Sequence, residues 1–405
     1  MGPLHGLRVI EFQGSGPGPF AGMMLADMGA DVLLLERAGP PNMGKYGERR
    51  FETMMRGKRS VTLDLKADGA AEAVLELVGH AHALVDPYRP RTLERRGLGP
   101  SACLARNPAL IYGRMTGWGQ SGPRAATAGH DINYIALSGV LNAIGRAGEP
   151  PTVPLNLIGD MGGGGMLLAF GIACGLIEAS RTGRGQVVDA AMFEGASLLG
   201  TLFRGMMASG RWKDVRGENH LDGSAPWYTS YETADGYFMA VGANEDGFYQ
   251  LLLEGLDLDK NAVPDRKDRL RWPQIRAIFT QAFKTRTRSQ WRAVFDHSDA
   301  CVTPVLSFAE ASVDAHAIAR ESFIDVNGIV QPSPAPRFSR NAADMPAKPP
   351  LRGEGGQQAL RDWGFDTESI DALRRQGVDF MSDDELAQYR DSPVSADSPP
   401  TRQEK

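Results

Sequence analysis

Cysteine is scarce. Cys103, Cys174 and Cys301 are the only three in 405 residues, widely separated and without a C-x-x-C pair. That number and spacing exclude a disulfide framework and a structural zinc site, and they fit a reducing, cytoplasmic compartment. An excess of positive charge is also missing. The formal net charge is −5, with Lys and Arg interspersed among Asp and Glu, so there is no basic footprint for nucleic acid. The opening "MGPLHGLRVIEF" carries no charged-then-apolar leader, and Gly6 stands where a myristoylation signal needs Ser or Thr. The longest apolar run, Met161 to Ala179, follows Asp160 and carries Gly162 to Gly165. It reads as a buried core helix rather than a membrane span, and no membrane partner is expected.

What is present is an ordinary globular composition, 42 % apolar and 23 % charged, with length for two domains of roughly 150–200 residues. "LRVIEF" (Leu7–Phe12), "DVLLLE" (Asp31–Glu36), "HALVDPY" and "LIYGRMTG" read as short strands, separated by helical segments such as "PFAGMMLADMGA" and "AAEAVLELVG". That alternation predicts an α/β fold with a Rossmann-like large domain and a parallel sheet. From about Trp227 the pattern changes. "YETADGYFMAVGA" places Asp235-Gly236 between alternating apolar residues, a hairpin signal, and helical stretches follow. We assign residues 1–200 to the first part of the large domain, 201–223 to a linker and 224–327 to a smaller α+β domain. The last stretch, 381–405, has little to bury and is expected to be disordered.

Gly16, Gly18 and Ala21 in "GPGPFA" follow a strand, open a helix and precede Glu36 by about twenty residues, which imitates a dinucleotide fingerprint. Pro17 and Pro19 argue against it, because proline has no N–H to offer a pyrophosphate. The favoured reading is a Gly/Pro turn that lets the helix pack closely on the sheet.

Three ionisable sites attract attention. His130 and Asp131 stand side by side in "AGHDINYIALSG", at the mouth of a mostly apolar helical run. Asp160 in "PLNLIGDMGGGG" reads first as a helix N-cap, and otherwise as a desolvated carboxylate with backbone accessible around it. Glu245 in "AVGANEDGFY" reads as a solvated loop residue or as a third member of the set. A histidine with a carboxylate partner plus a second carboxylate can remove and return a proton on opposite faces of one carbon. Composition alone does not choose.

The strings "GLRVIEF", "GPGPFAGMMLADMGADVLLLER", "MTGWGQSGPRAATAGHDINYIALSG", "PLNLIGDMGGGG", "DGSAPWY" and "YETADGYFMAVGANEDGFY" closely resemble α-methylacyl-CoA racemases, within the class III (family III) CoA-transferase superfamily. The resemblance runs from about Pro3 to Arg340. It implies a large CoA-binding domain built from both chain ends, residues 328–380 being a linker and the return to it. It also implies a small inserted domain and an interlocked homodimer. The implied activity is interconversion of (2R)- and (2S)-2-methylacyl-CoA, an isomerase reaction of lipid and fatty-acid metabolism. His130 and Asp160 resemble the bases on the two faces of the α-carbon, and Glu245 the carboxylate that orients His130. The backbone N–H of Asp131 resembles the donor to the thioester oxygen, and Asn156 a supporting hydrogen-bonding residue. Arg37, Lys58, Arg59, Asp86, Tyr88, Arg89, Arg95, Gly129 and Tyr134 resemble the CoA-binding set. Read one by one, the cations among them fit a solvated basic surface better. Arg91 departs from the family pattern, which usually has glycine there.

The chemistry agrees with these roles. A thioester α-proton is weakly acidic, so its removal needs a fixed donor for the enolate oxygen, worth ~3–4 kcal/mol. No metal or redox cofactor is expected, CoA being part of the substrate. Burial would bring the unlike proton affinities of Asp160 and His130 together. The alternative is CoA transfer from an acyl-CoA to a free acid, with Asp160 as nucleophile.

Overall fold

Six short strands assemble the core of the first of two units into which the chain divides. In the computed structural model, which describes residues 1–391, this unit comprises Met1–Tyr134, Asn156–Ala196 and the chain from Phe323 onward. Strands β1 (Arg8–Phe12), β2 (Asp31–Glu36), β3 (Arg59–Thr62), β4 (Ala83–Asp86), β5 (Ile111–Thr116) and β6 (Gln186–Ala191) form one sheet in the order β3-β2-β1-β4-β5-β6. Every pairing is parallel. Successive side chains point to opposite faces, so Ile10 and Leu33 enter one core with Val74 and Leu77. Val9 and Val32 enter another with Leu25 and Ile172. Burial on both faces is why "VLLL" and "ALV" are continuous apolar runs. The strand order reverses between β1 and β4, the topological point at whose carboxyl ends α/β folds bind ligands.

Helix α1 (Pro17–Asp27) follows β1, α2 (Ala70–His80) follows β3, α3 (Pro100–Arg106) follows β4, and α4 (Asp131–Leu137) follows β5. Residues Leu157–Met166 are wound as a π-helix that runs into α5 (Leu167–Thr182). The expectation of a buried core helix here is corrected. Leu157–Thr182 is long and apolar enough in composition to cross a membrane, yet only 39 % of its apolar window is buried. Met166, Phe170 and Ile177 stand exposed. The C-terminal return is held by its own apolar residues: Leu360, Trp363, Ile370 and Leu373 complete the core around Ile10, and the Trp363 indole donates to Asp31 Oδ2 at 2.7 Å. Residues 383–391, expected to be disordered, form a helix; the rest of that expectation, 392–405, lies outside the described residues.

The second unit comprises Ile135–Leu155 and Ser197–Ser322. Strands β7 (Tyr228–Glu232), β8 (Phe238–Gly242) and β9 (Val302–Pro304) pair antiparallel in the order β9-β8-β7, and the Asp235-Gly236 turn joins the first two. Helices Asp246–Gly255, Trp272–Phe283 and Arg288–Phe295 cover them with Leu252, Ile275, Phe279 and Trp291. The unit begins earlier than the expected 224. The segment taken as a linker from 201 opens with a helix, Thr201–Ala208. Arg216 then ties this stretch to 135–155, its guanidinium donating to the carbonyls of Asn142 at 2.7 Å and Arg146 at 3.2 Å.

Candidate active site

His130 is the residue immediately before α4. Its backbone N–H donates to Asn133 Oδ1 at 3.0 Å, the reach of the side chain of the third helical residue back to a helix start. Its side chain is exposed in the single chain. Asp131, the first residue of α4, is buried at 5 % exposure. Its Oδ2 accepts the backbone N–H of Asp160 at 2.7 Å. The start of α4 and the π-helix are thereby pinned together, and His130 and Asp160 come within electrostatic reach of one another.

Asp160 is no N-cap. It lies inside the π-helix, four residues after Asn156, whose amide donates to Asp160 Oδ2 at 3.1 Å. Wide helical turns of this kind are rare and recur at functional sites. Burial raises the proton affinity of Asp160 above the ordinary aspartate range. The Asn156 hydrogen bond opposes that rise, the Asp131 charge reinforces it, and His130 and Lys45 oppose it. The expected direction for Asp160 is the one found.

Gly16 closes the other side. It has φ +70°, and a β-carbon there would stand 3.2 Å from Asp160 Oδ2. This Gly/Pro turn is therefore shaped for a carboxylate neighbour, and its glycine has both a backbone and a space reason. The same turn borders a cleft of about 710 Å³ lined by Ser15, Gly16, Arg37, Lys45, Pro87 and Tyr88, among others. A second cleft of about 440 Å³ shares Arg37, Ala38 and Tyr88 and extends along Leu63, Leu65, Thr92 and Arg96. Both follow the carboxyl ends of the central strands.

Sequence reasoning missed Lys45 and Arg352. Lys45 Nζ donates to Ser15 Oγ at 3.2 Å. Arg352 anchors the intervening loop by donating to Glu36 Oε2 at 3.0 Å and to the carbonyls of Arg37 at 2.9 Å and Met43 at 3.1 Å. The signal for Lys45 was its place in a Gly-flanked loop after β2; nothing local marked Arg352, which arrives from more than three hundred residues away.

The structure corrects two of the residues expected to contact CoA. Lys58 is buried, its ammonium spent on Glu11 at 2.7 and 2.9 Å and on the Pro19 carbonyl at 3.0 Å. Asp86 is 1 % exposed, accepting from the Tyr88 N–H at 3.0 Å and the Tyr112 hydroxyl at 3.2 Å, and burial pushes its carboxyl up to about 6. Both shape the walls of the cleft from behind. Arg59 is held by Asp31 and Asp362. The Tyr134 hydroxyl donates to the Gly129 carbonyl, and its ring packs edge-on to Trp118 at 4.8 Å, so this pair fixes the turn that presents His130. Arg37 and Tyr88 line the clefts; Arg89 and Arg95 are exposed nearby in sequence. Glu245 belongs to the second unit, exposed at the start of helix Asp246–Gly255 with no capping hydrogen bond.

The dinucleotide reading is closed as well. Glu36, the acid that a ribose would need, is 2 % exposed and paired with Arg49 at 3.0 Å and Arg352 at 3.0 Å.

Residues 4–355 match the CoA-transferase family III. The chain belongs to this family. Among family III relatives, it is 46 % identical to the α-methylacyl-CoA racemase of Mus musculus over 369 residues, 91 % of this chain and 95 % of that protein. It is 44 % identical to the Homo sapiens α-methylacyl-CoA racemase over 378 residues, 93 % and 97 % of the two chains. A CAIB/BAIF family protein from Brucella suis shares the fold with TM-score 0.77 at 26 % identity, over 89 % of this chain and 99 % of that one. In this chain the π-helix carboxylate Asp160 stands beside the head of α4.

Proposed function

We propose that this protein is a 2-methylacyl-CoA racemase, an isomerase that removes the α-proton of a 2-methylacyl-CoA thioester and returns it to either face. One observation carries the reading: Asp160, with raised proton affinity, is tied by its own N–H to the residue next to His130. Two unlike bases sharing one scaffold are what a two-face proton exchange requires. The kinship with the mouse and human racemases supports it.

In this mechanism one base takes the α-proton and the other, protonated, supplies the opposite face; the roles exchange with direction. Negative charge collects on the thioester oxygen. The N–H of Asp131, in the first turn of α4, has no acceptor within its own helix and serves as the donor to that oxygen, contributing about 3 kcal/mol. Asn156 steadies the Asp160 carboxylate. Arg37, Tyr88, Arg89, Arg95 and Lys45 receive the CoA portion. The reaction is complete with these groups and calls for no added cofactor. The histidine near Asp160 favours proton exchange over CoA transfer, which asks only for the Asp160 carboxylate as nucleophile.

The protein acts as an interlocked homodimer, in which the partner subunit's Glu245 orients His130. Support comes from the exposed His130, the unengaged Glu245 and the exposed apolar side chains of α5. Free, exposed Cys174 and Cys301 fit a reducing cytoplasm.

The test is incubation with one enantiomer of a 2-methylacyl-CoA in deuterium oxide, with and without a free carboxylic acid. Deuterium at the α-carbon and both configurations, with no acid needed, are the expected result. A new acyl-CoA formed only with added acid, and no exchange, would replace this reading by CoA transfer.

A further inference from the structure

The Asp131 side chain is not explained by the role given to its backbone. It is buried at 5 % exposure, and only one of its oxygens is used. Oδ2 holds the Asp160 N–H at 2.7 Å, while Oδ1 is buried without a hydrogen-bond partner among the described residues. A neutral acceptor would hold the same N–H at lower desolvation cost, because burying a charged oxygen unsatisfied is expensive. A structural clamp alone therefore does not account for a carboxylate here.

We propose that the Asp131 carboxylate is a positioning residue for Asp160: it fixes the π-turn that carries Asp160 and supplies the fixed negative charge that keeps Asp160 a ready proton acceptor. The proposal rests on the racemase reading for its consequence in catalysis, though not for its electrostatics. The charged and titratable groups acting on Asp160 are His130 and Asp131 at the head of α4 and Lys45 from the loop after β2. Asn156 adds a neutral hydrogen bond, and Tyr134 lies within reach. Of these, His130 and Lys45 favour ionised Asp160, and Asp131 is the one that favours its protonated form. Without it the two cations and the Asn156 amide would face burial alone, and the carboxylate would hold a proton less well. Removing a neighbouring negative charge lowers the pH at which a carboxyl takes up its proton.

The experiment is a direct titration of the Asp160 carboxyl by carbon-13 NMR, in protein labelled at aspartate carboxyls and assigned against Asp160→Asn. It compares the unaltered chain with Asp131→Asn, which keeps an oxygen for the Asp160 N–H and removes the charge. The expected result is a midpoint lower by about one pH unit. The pH at which α-proton removal by Asp160 sets in would fall by the same amount. If Asp131→Asn does not fold, Asp131→Ser, also neutral and able to accept the N–H, gives the same reading. A midpoint that stays in place or rises overturns the proposal, whatever the activity. A lowered midpoint in a protein that shows no α-proton exchange upholds the electrostatic assignment and refutes the racemase reading instead.

Discussion

Arg91 holds φ +66°, a left-handed backbone that an L side chain enters at about 1–2 kcal/mol. Glycine would enter it freely but loses about 0.5–1 kcal/mol through a more flexible unfolded chain. Arg91→Gly is accordingly expected to stabilise the protein by roughly 0.5–1 kcal/mol, read by denaturant unfolding; a loss of stability would show that the side chain has contacts that outweigh its strain. At this scale the sequence was legible where a residue's chemistry is local. His130, Asp160 and Asn156 lie in one short span and converge. Lys58 was not legible, because its partner Glu11 and the Pro19 carbonyl are distant in the chain, and only the fold reveals that the ammonium is already used. The Asp131 carboxylate escaped although its partner lies in that same span, because the partner is the backbone N–H of residue 160, which carries no side-chain signature.

The element that matters most is the π-helix Leu157–Met166, which aims Asp160 while packing closer to its neighbours than side chains allow. A β-carbon on residue 163 would lie 2.6 Å from the backbone nitrogen of Ala196, and one on residue 195 would lie 1.8 Å from the Gly163 carbonyl oxygen. Backbone cannot step aside as a flexible side chain can. Gly163→Ala is expected to cost about 1–3 kcal/mol of stability and to lower activity beyond that loss, since the turn bearing Asp160 shifts; unchanged melting and turnover would contradict the packing account. Four glycines in a row announced close backbone approach, but not the wide helical winding, in which the Asp160 N–H is taken by Asp131. Strands β1, β2, β4 and β5 were legible as apolar runs. Strands β3 and β6 were not, since Arg59–Thr62 and Gln186–Ala191 mix charged and polar residues with apolar ones.

For the whole molecule, the end of the π-helix leaves Met166 exposed and α5 leaves Phe170 and Ile177 exposed, with Phe170 at 67 %. Exposed apolar surface on this scale marks an interaction face. Sedimentation is expected to show a dimer at micromolar concentration, and Phe170→Glu to shift it toward monomer with at least tenfold loss of activity as the His130 partner is lost; a monomer with full activity would refute the dimeric site. The two-unit organisation was legible from the switch to hairpin patterning near Trp227. Its boundaries were not, because residues 135–155 join the second unit through Arg216, a link invisible in local pattern.

The proposed assignment of His130 and Asp160 to opposite faces of one carbon is probed by single-turnover loss of the α-proton from each enantiomer separately, in His130→Ala and in Asp160→Asn. Opposite preferences are expected, each variant losing about a hundredfold or more with one enantiomer and far less with the other. Equal losses with both enantiomers in both variants would contradict it.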